Sequence, residues 1–493
     1  MISKLKLKIL LSAEAGGVPD CDCSCGIEYP LREALAFPLW KGQWQAVAPA
    51  FTQSLAGGEW QVHYTPTATV PIVAMNGAAH YLWAQLREPQ AVERLEHATG
   101  FSLPEVQRAL EAMAQAGVIR PWGAPLATAP MEQRVSTLTA WLYLTQQCNL
   151  RCPYCYVPHR GARMSKETAK AAVAKLIETA SRHSYSTLRI KYAGGEPLLN
   201  FSVLLAVHDA AKRLAKASGL KLEEVILTNG VLWDEEKLDF VAGEGLSLGL
   251  SLDGDEASHN RMRILPDGRG TFREVIHTLD GALRRGITLS LSITVTAWNL
   301  DGVKDAVTIA MERGLPFNLN FVRARNPRSW VPQAEPLADA LRSAFDIMEQ
   351  HLASYPRPLT HVLDRSRFDF PHVRPCAAGR DYLAIRPDGG VAACQMEVEH
   401  PLSTIAAEDP LREVRLGSRE HFEPTVDDLP ECSQCPWRYV CAGGCPLLRG
   451  TDIHRQYCSV YRQFYPELVR LEGLRLLLQH QRSSERTSRK EHA

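Results

Sequence analysis

The chain has 493 residues, 55 Lys+Arg against 55 Asp+Glu, 45% hydrophobic residues and 13 cysteines. Such a length exceeds one ordinary core and predicts about two to four domains. A formal charge of zero gives no global attraction to nucleic acid or an acidic membrane, and no apolar run reaches the ~18 residues of a membrane helix.

The first segment, MISKLKLKILLSAEAGG, sets lysines ahead of Ile9, Leu10 and Leu11, a patch too short for the apolar core of a signal peptide. The chain therefore reads as cytoplasmic and residues 1–45 as an N-terminal arm. Residues 46–125 carry strand-like runs around GGEWQVHY and PIVAMN, then three short amphipathic helices in HYLWAQLRE, AVERLEHATG and LPEVQRALEAMAQAGVIRPW. In the last, Val106, Leu110 and Met113 share a face, and the whole fits a winged-helix-like domain. Pro121 to Pro130 reads as a linker.

Residues 135–325 alternate strand and helix. Six strand runs (TLTAWLYL, TLRIKYAG, EEVILTNG, LSLGLSLDG, ITLSLSITVT and FNLNFVR) enclose helical patterns at 165–183, 201–218, 234–244, 272–285 and 302–313. Gly219, Gly245, Gly286 and Gly314 follow four of these helices as C-terminal caps. Strands separated by helices lie parallel, which predicts an α/β sheet or partial barrel whose site lies at the strands' C-terminal ends. Residues 326–375 read as a helical bridge, 376–465 as a cysteine-rich domain and 466–493 as a disordered tail.

The thiols fall in three groups. Clustered cysteines in a reducing compartment point to metal, because a chain with this much core needs no disulfides. CNLRCPYCY gives C-x3-C-x2-C at Cys148, Cys152 and Cys155, directly after the first strand of the α/β region. Three thiolates in one loop can hold three irons of a [4Fe-4S] cluster and leave the fourth open, whereas structural zinc wants four ligands. AGGEP (Ala193 to Pro197), TNG (Thr228 to Gly230) and SLDG (Ser251 to Gly254) end the next three strands.

In this order these motifs resemble those of radical S-adenosylmethionine (SAM) enzymes. The resemblance implies that the open iron chelates SAM, that one-electron reduction yields a 5'-deoxyadenosyl radical, and that the protein positions and shields that chemistry. It implies SAM contacts at Tyr156 near the adenine, at Gly194, Gly195 and Glu196 for the methionyl amine, at Asn229, and at Ser251, Asp253 and Arg263 for ribose and carboxylate.

From Cys376 the spacing runs C-x12-G-x4-C (Cys376, Gly389, Cys394), C-x2-C-x5-C-x3-C (Cys432, Cys435, Cys441, Cys445) and then Cys458. Ligand chemistry alone also allows one or two zinc sites. The order and spacing are similar to the SPASM extension of peptide- and protein-modifying radical SAM enzymes, which implies two auxiliary [4Fe-4S] clusters. Carried over, Cys376, Cys394 and Cys445 would serve the first, and Cys432, Cys435, Cys441 and Cys458 the second. The first is one ligand short, because Tyr382 stands where some relatives have a cysteine. Gln395 replaces the Asp that sulfatase-maturating relatives use as a base, and no catalytic base is assigned here.

Residues 46–122 also resemble the peptide-recognition elements of ribosomal-peptide modifying enzymes, which grip a leader peptide as an added strand. A generic winged helix, including DNA-binding ones, is the alternative. Cys21, Cys23 and Cys25 fit incidental thiols as readily as an auxiliary ligand, and the preceding SAEAGG is similar to a double-glycine leader.

The expected protein is thus a partial (β/α)6 TIM-type barrel with a winged-helix-like front domain and a SPASM iron-sulfur domain. Its expected function is a maturase that abstracts hydrogen from a ribosomally made peptide or protein and forms a thioether or carbon-carbon crosslink. SAM, three [4Fe-4S] clusters and an electron donor such as flavodoxin or ferredoxin would serve it, with no nucleic-acid or membrane partner. A quinoprotein-subunit or sulfatase formylglycine maturase and a non-catalytic zinc-rich winged-helix regulator are the competing readings.

Overall fold

A computed structural model describes residues 6–12, 42–124, 135–159, 161–323 and 328–491, with the side chains of 328 and 484–491 left out. Cys21, Cys23, Cys25 and most of the predicted linker lie outside the described residues.

The front region is built on an antiparallel sheet of four strands, β1 (Ile9–Leu11), β3 (Phe51–Leu55), β4 (Trp60–Tyr64) and β5 (Ile72–Asn76), in the order β1-β5-β4-β3. A second sheet joins β2 (Gln43–Ala46) to β6 (Gln90–Ala91) and β7 (Ile119–Pro121). Helices α1 (Gly77–Gln85), α2 (Val92–Thr99) and α3 (Leu103–Ala116) follow as the periodicity predicts. The predicted stripe is buried, with Val106, Leu110 and Met113 packing on Val73, Met75 and Leu82 in a core of this region's own. One expectation changes: residues 1–45 are not merely an arm, because Ile9–Leu11 forms a strand of the sheet.

The α/β region follows its sequence closely. Strands β8 (Thr137–Thr145), β9 (Thr187–Gly194), β10 (Lys221–Thr228), β11 (Ser247–Ser251), β12 (Leu289–Val295) and β13 (Phe317–Phe321) pair in parallel and in chain order. Between them run α4 (Lys166–Arg182), α5 (Phe201–Ala217), α6 (Glu235–Glu244), α7 (Glu256–Met262), α8 (Phe272–Arg284) and α9 (Val303–Glu312). Side-chain oxygens of Ser165, Asp234 and Asp255 accept from the third residue on and start α4, α6 and α7. Every residue of β8 is buried. Leu138, Ala140, Leu142 and Leu144 join the main core while Trp141 and Tyr143 join a second cluster on the other face, as a strand covered on both sides requires.

The cysteine-rich domain is stitched into this sheet. Helix α10 (Ala334–His351) packs on α9, and after an irregular crossing β14 (Tyr382–Ile385) pairs in parallel with β8. Strands β15 (Gly390–Ala392) and β16 (Ser403–Thr404) complete a nine-stranded mixed sheet, followed by α11 (Pro410–Gly417), α12 (Arg419–Phe422) and α13 (Arg438–Cys441).

The disordered tail expected at 466–493 is corrected. Helix α14 spans Asp452–Glu491. Leu468, Val469, Leu471, Leu476 and Leu477 are buried, and the helix packs on both the outer face of the front sheet and α10. Gly473 makes the approach possible, since a Cβ there would stand 2.8 Å from Leu55 and 3.0 Å from Val62. Beneath lies a buried ion pair, with Arg475 Nε 2.7 Å from Glu472 Oε2. The same carboxylate accepts from Ser12 Oγ at 2.6 Å and from the Leu359 amide at 3.1 Å, joining β1, α14 and the crossing segment. Among the described residues, no helix is long and apolar enough to cross a membrane.

Candidate functional site

The loop carrying Cys148, Cys152 and Cys155 leaves the C-terminal end of β8 and returns through an isolated bridge between Thr145 and Arg163. Cys148 and Cys152 are half-buried and Cys155 is exposed. Burial, with a smaller contribution from neighbours in the trio, pushes the Cys148 thiol up to about 11 and Cys152 up to about 12. The three sulfurs therefore share one field, and a bound cation would draw them into the thiolate form. Cys148 Sγ already accepts the Leu150 amide at 3.3 Å and faces Asn229 Nδ2 at 3.7 Å. His159 is exposed beside the loop.

The AGGEP glycines have a more specific reason than close approach to a ligand. A Cβ on Gly194 would stand 2.1 Å from the Thr145 carbonyl oxygen, and one on Gly195 would stand 2.2 Å from that of Gln147 and 3.0 Å from Cys148 Cβ. The end of β9 thus lies directly against the cysteine loop, and the amides of Gly195 and Glu196 bond to Thr145 and Gln147, each at 2.9 Å. Glu196 is fully buried. Its carboxylate accepts from the Leu198 amide at 3.2 Å, Thr228 Oγ1 at 3.0 Å and the Asn229 amide at 2.8 Å, yet burial pushes it up to about 7. Asn229 in turn donates to Asn149 Oδ1 at 2.8 Å, so GGEP and TNG brace the loop from two adjacent strands.

Ser251, half-buried, ends β11, and Asp253 lies just beyond it. The sequence offers Asp253 and Arg263 as separate contacts; the structure pairs them with each other. Arg263 Nε sits 2.7 Å from Asp253 Oδ2 and Nη2 3.3 Å from Oδ1, both groups buried. Tyr154 also donates to Asp253, and the guanidinium lies 5.7 Å from the Tyr154 ring. The Thr294 amide donates to Asp253 Oδ1 at 2.9 Å, and Asn299 Nδ2 to the Asp253 carbonyl at 2.7 Å. Tyr154, Thr294 and Asn299 were not singled out from sequence; only Tyr154, inside CPYCY, carried a signal. Cys152 feels both charges of the pair, which places it above this buried network.

The seven C-terminal thiols separate into two groups. Cys394 is pushed up to about 12 by burial, then by the fields of Cys376 and Cys445. Cys441 is raised likewise to about 12 by burial, then by Cys458, Cys432 and Cys435. Among the described residues no three Cys, His, Asp or Glu side chains lie close enough to share one metal ion. The first borders β8: Tyr382 Oη donates to Gln395 Oε1 at 2.9 Å and Tyr143 Oη to the Gln395 carbonyl at 3.1 Å. Tyr143 also bonds to the exposed Tyr156, so a hydrogen-bonded path links the residue after Cys155 to the residue after Cys394. Aromatic rings surround the second group. Trp437 stacks on Tyr64 of the front sheet at 4.8 Å and meets Tyr465 of α14 at 5.6 Å.

Comparison with known proteins adds a family. Residues 142–310 match the Radical SAM superfamily. The chain is 22% identical over 346 residues to a cysteine-type anaerobic sulfatase-maturating enzyme of Clostridium perfringens, covering 64% of this chain and 92% of the relative. It is 27% identical over 334 residues to a PqqA peptide cyclase of Xanthomonas axonopodis, covering 62% and 82%. A solved structure of native anSMEcpe with bound AdoMet and Kp18Cys peptide superposes with a TM-score of 0.57 at 18% identity, over 68% of this chain and 99% of that one. That likeness is one of fold.

Proposed function

We propose that this chain, a radical SAM enzyme, is a maturase that abstracts hydrogen from a peptide or protein substrate and forms a thioether or carbon-carbon crosslink in it. The observation that carries the reading is the sorting of ten thiols into groups of three, three and four, with only the trio on a loop at the C-terminal ends of the parallel strands.

Cys148, Cys152 and Cys155 would hold the first cluster. A [4Fe-4S] cluster with SAM there supplies reductive cleavage of the sulfonium and hence a 5'-deoxyadenosyl radical. The chain's own residues orient and shelter that pair. Gly194 and Gly195 seat the loop on β9, Glu196 holds the loop beside the methionyl end of SAM, and Asn229 donates toward Cys148. Tyr156 would take the adenine, while Ser251 and the Asp253–Arg263 pair would take the ribose and carboxylate end. Because Arg263 is already engaged by Asp253, the pair would support SAM as one unit.

Cys376, Cys394 and Cys445 would hold one auxiliary cluster and Cys432, Cys435, Cys441 and Cys458 a second, in a SPASM-type domain. Tyr382 is committed to Gln395, which leaves the first cluster's fourth position to a substrate thiolate, another protein ligand or water. Gln395 accepts a hydrogen bond and takes up no proton at neutral pH, so formylglycine formation by an acidic base at this position is disfavoured. A peptide substrate is supported by the names of the sulfatase-maturating and PqqA-cyclising relatives. The winged-helix-like front domain, packed through Tyr64 on Trp437, would present that peptide, and a flavodoxin or ferredoxin would supply the electron.

Anaerobic reconstitution tests this. The expected outcome is roughly twelve irons per chain and 5'-deoxyadenosine on reduction with SAM. Stoichiometric zinc without iron or 5'-deoxyadenosine would overturn it.

A further inference from the structure

One short turn of the cysteine-rich domain, residues 395–399, is fastened to the end of β8. Tyr143 Oη donates to the Gln395 carbonyl at 3.1 Å, and Gln146 Nε2 donates to Glu399 Oε1 at 3.3 Å. Val398 of the turn shares an apolar cluster with Tyr143, with Ala193 of β9 and with Val157 of the first cysteine loop. The residue that follows Cys394 is thereby held against the strand from which the loop of Cys148, Cys152 and Cys155 leaves.

Gln395 is only 4% exposed, and both of its oxygens are engaged. Its carbonyl takes the Tyr143 hydroxyl. Its side-chain Oε1 accepts from Tyr382 Oη at 2.9 Å and stands 3.5 Å from Cys394 Sγ. Because Tyr382 fixes the oxygen, the amide has one orientation and Nε2 is turned to the other side of the group. Among the described residues Nε2 donates to none. Desolvating an amide without using its donors is costly, and a methionine would fill the same length with no donor to desolvate. The donor therefore calls for an acceptor that the chain itself does not supply. A peptide lying between the first cysteine loop and the group of Cys376, Cys394 and Cys445 brings one at every residue, its amide carbonyl.

We propose that Gln395 Nε2 is a substrate-binding donor, which takes the amide carbonyl of the peptide residue whose side chain reaches the first auxiliary group, and that Tyr382 is the positioning residue that aims it. This rests on the peptide-substrate reading above. Tyr382 and Gln395 are the two positions at which this chain departs from the SPASM pattern, and the structure bonds them to each other. The two departures form one device: a phenol in place of a thiol points an amide in place of a carboxylate. The amide holds a neutral acceptor and exchanges no proton with it.

The test uses the reconstituted full chain with its auxiliary clusters reduced, and two thiol probes of equal size. Mercaptoacetamide carries a carbonyl and 2-methyl-1-propanethiol does not. Dissociation constants are read from the change each probe causes in the electron paramagnetic resonance spectrum. The natural chain should hold mercaptoacetamide about ten-fold more tightly than the hydrocarbon thiol. Gln395→Met should abolish that preference, and Tyr382→Phe, which frees the amide to turn, should reduce it to about three-fold. Both variants should keep their iron. Equal binding of the two probes by the natural chain, no spectral change with either, a full preference surviving in either variant, or loss of iron from both variants would each overturn the proposal. Iron content and SAM cleavage of the natural chain, which test the maturase reading, are measured without probes and do not depend on this result.

Discussion

The loop after β8 and the C-terminal cysteine groups hold the same thiols in opposite surroundings. The loop rests on a polar network: the Asp253–Arg263 pair lies beneath Cys152, while Glu196 and Asn229 brace Cys148. The group around Cys441 lies among the rings of Trp437, Tyr461 and Tyr465, and its thiols are half-buried like Cys148 and Cys152. A polar, partly open floor suits a site that must bind a charged cofactor and admit a substrate. An aromatic surround, with few polar groups to offer a ligand, suits a group that need not admit one.

The sharpest way to break this contrast is to remove one cysteine from each side. Cys152→Ala should lower 5'-deoxyadenosine formation by at least ~100-fold, whereas Cys435→Ala should leave it within about two-fold while abolishing the mass shift on a peptide substrate. Equal loss of SAM cleavage in both folded variants would end the division of labour.

The polar floor itself is probed by Asp253→Asn, which strands a buried guanidinium. Its cost should be about 3–5 kcal/mol in denaturant unfolding of the iron-free protein. A cost under ~1 kcal/mol would mean that Arg263 finds other partners and that the pair does not support the loop.

Glu196 supplies a pH signature. Its folded pKa, about 7, lies above the ordinary carboxylate value of 4.5. Between these values the folded chain binds more protons than the unfolded one, so its contribution is fully present below pH 4.5 and is lost as pH rises to about 7. Midpoints of the iron-free protein measured across that window should fall, and Glu196→Gln should flatten the fall; an unchanged slope in the variant would assign the dependence elsewhere.

The smallest effect belongs to the apolar side. Gly473→Ala places a Cβ 2.8 Å from the end of the Leu55 side chain. The side chain can turn away, and the cost should be about 1 kcal/mol in the same unfolding assay. Iron content should not change.

Much of this was legible in the chain. The six parallel strands announce themselves as short runs rich in Ile, Leu, Val, Thr or aromatics between helical patterns, with β8 alone buried throughout, and the motifs at their ends mark the site side. What escaped were partnerships between distant segments. Nothing local in YLAI says that Tyr382–Ile385 lies beside Thr139–Leu142. Asp253 and Arg263 were individually conspicuous, yet their pairing requires the short helix α7 to return Arg263 to the strand end beside Tyr154. The final helix was missed because QHQRSSERTSRKEHA has no apolar period, and that polar stretch hid the buried leucines just ahead of it.

Helix α14 also sets the order in which this molecule can be completed. The outer face of the front sheet is formed by residues 51–76 and is covered by Phe368, Trp437 and helix α14, all made long after it. At about 5–20 residues per second, ribosomes leave that apolar face bare for roughly 20–80 s. A nascent chain of this kind needs a chaperone or a slow-closing barrel to protect it, and a truncation ahead of Leu468 would aggregate through its first domain although the lesion lies in its last.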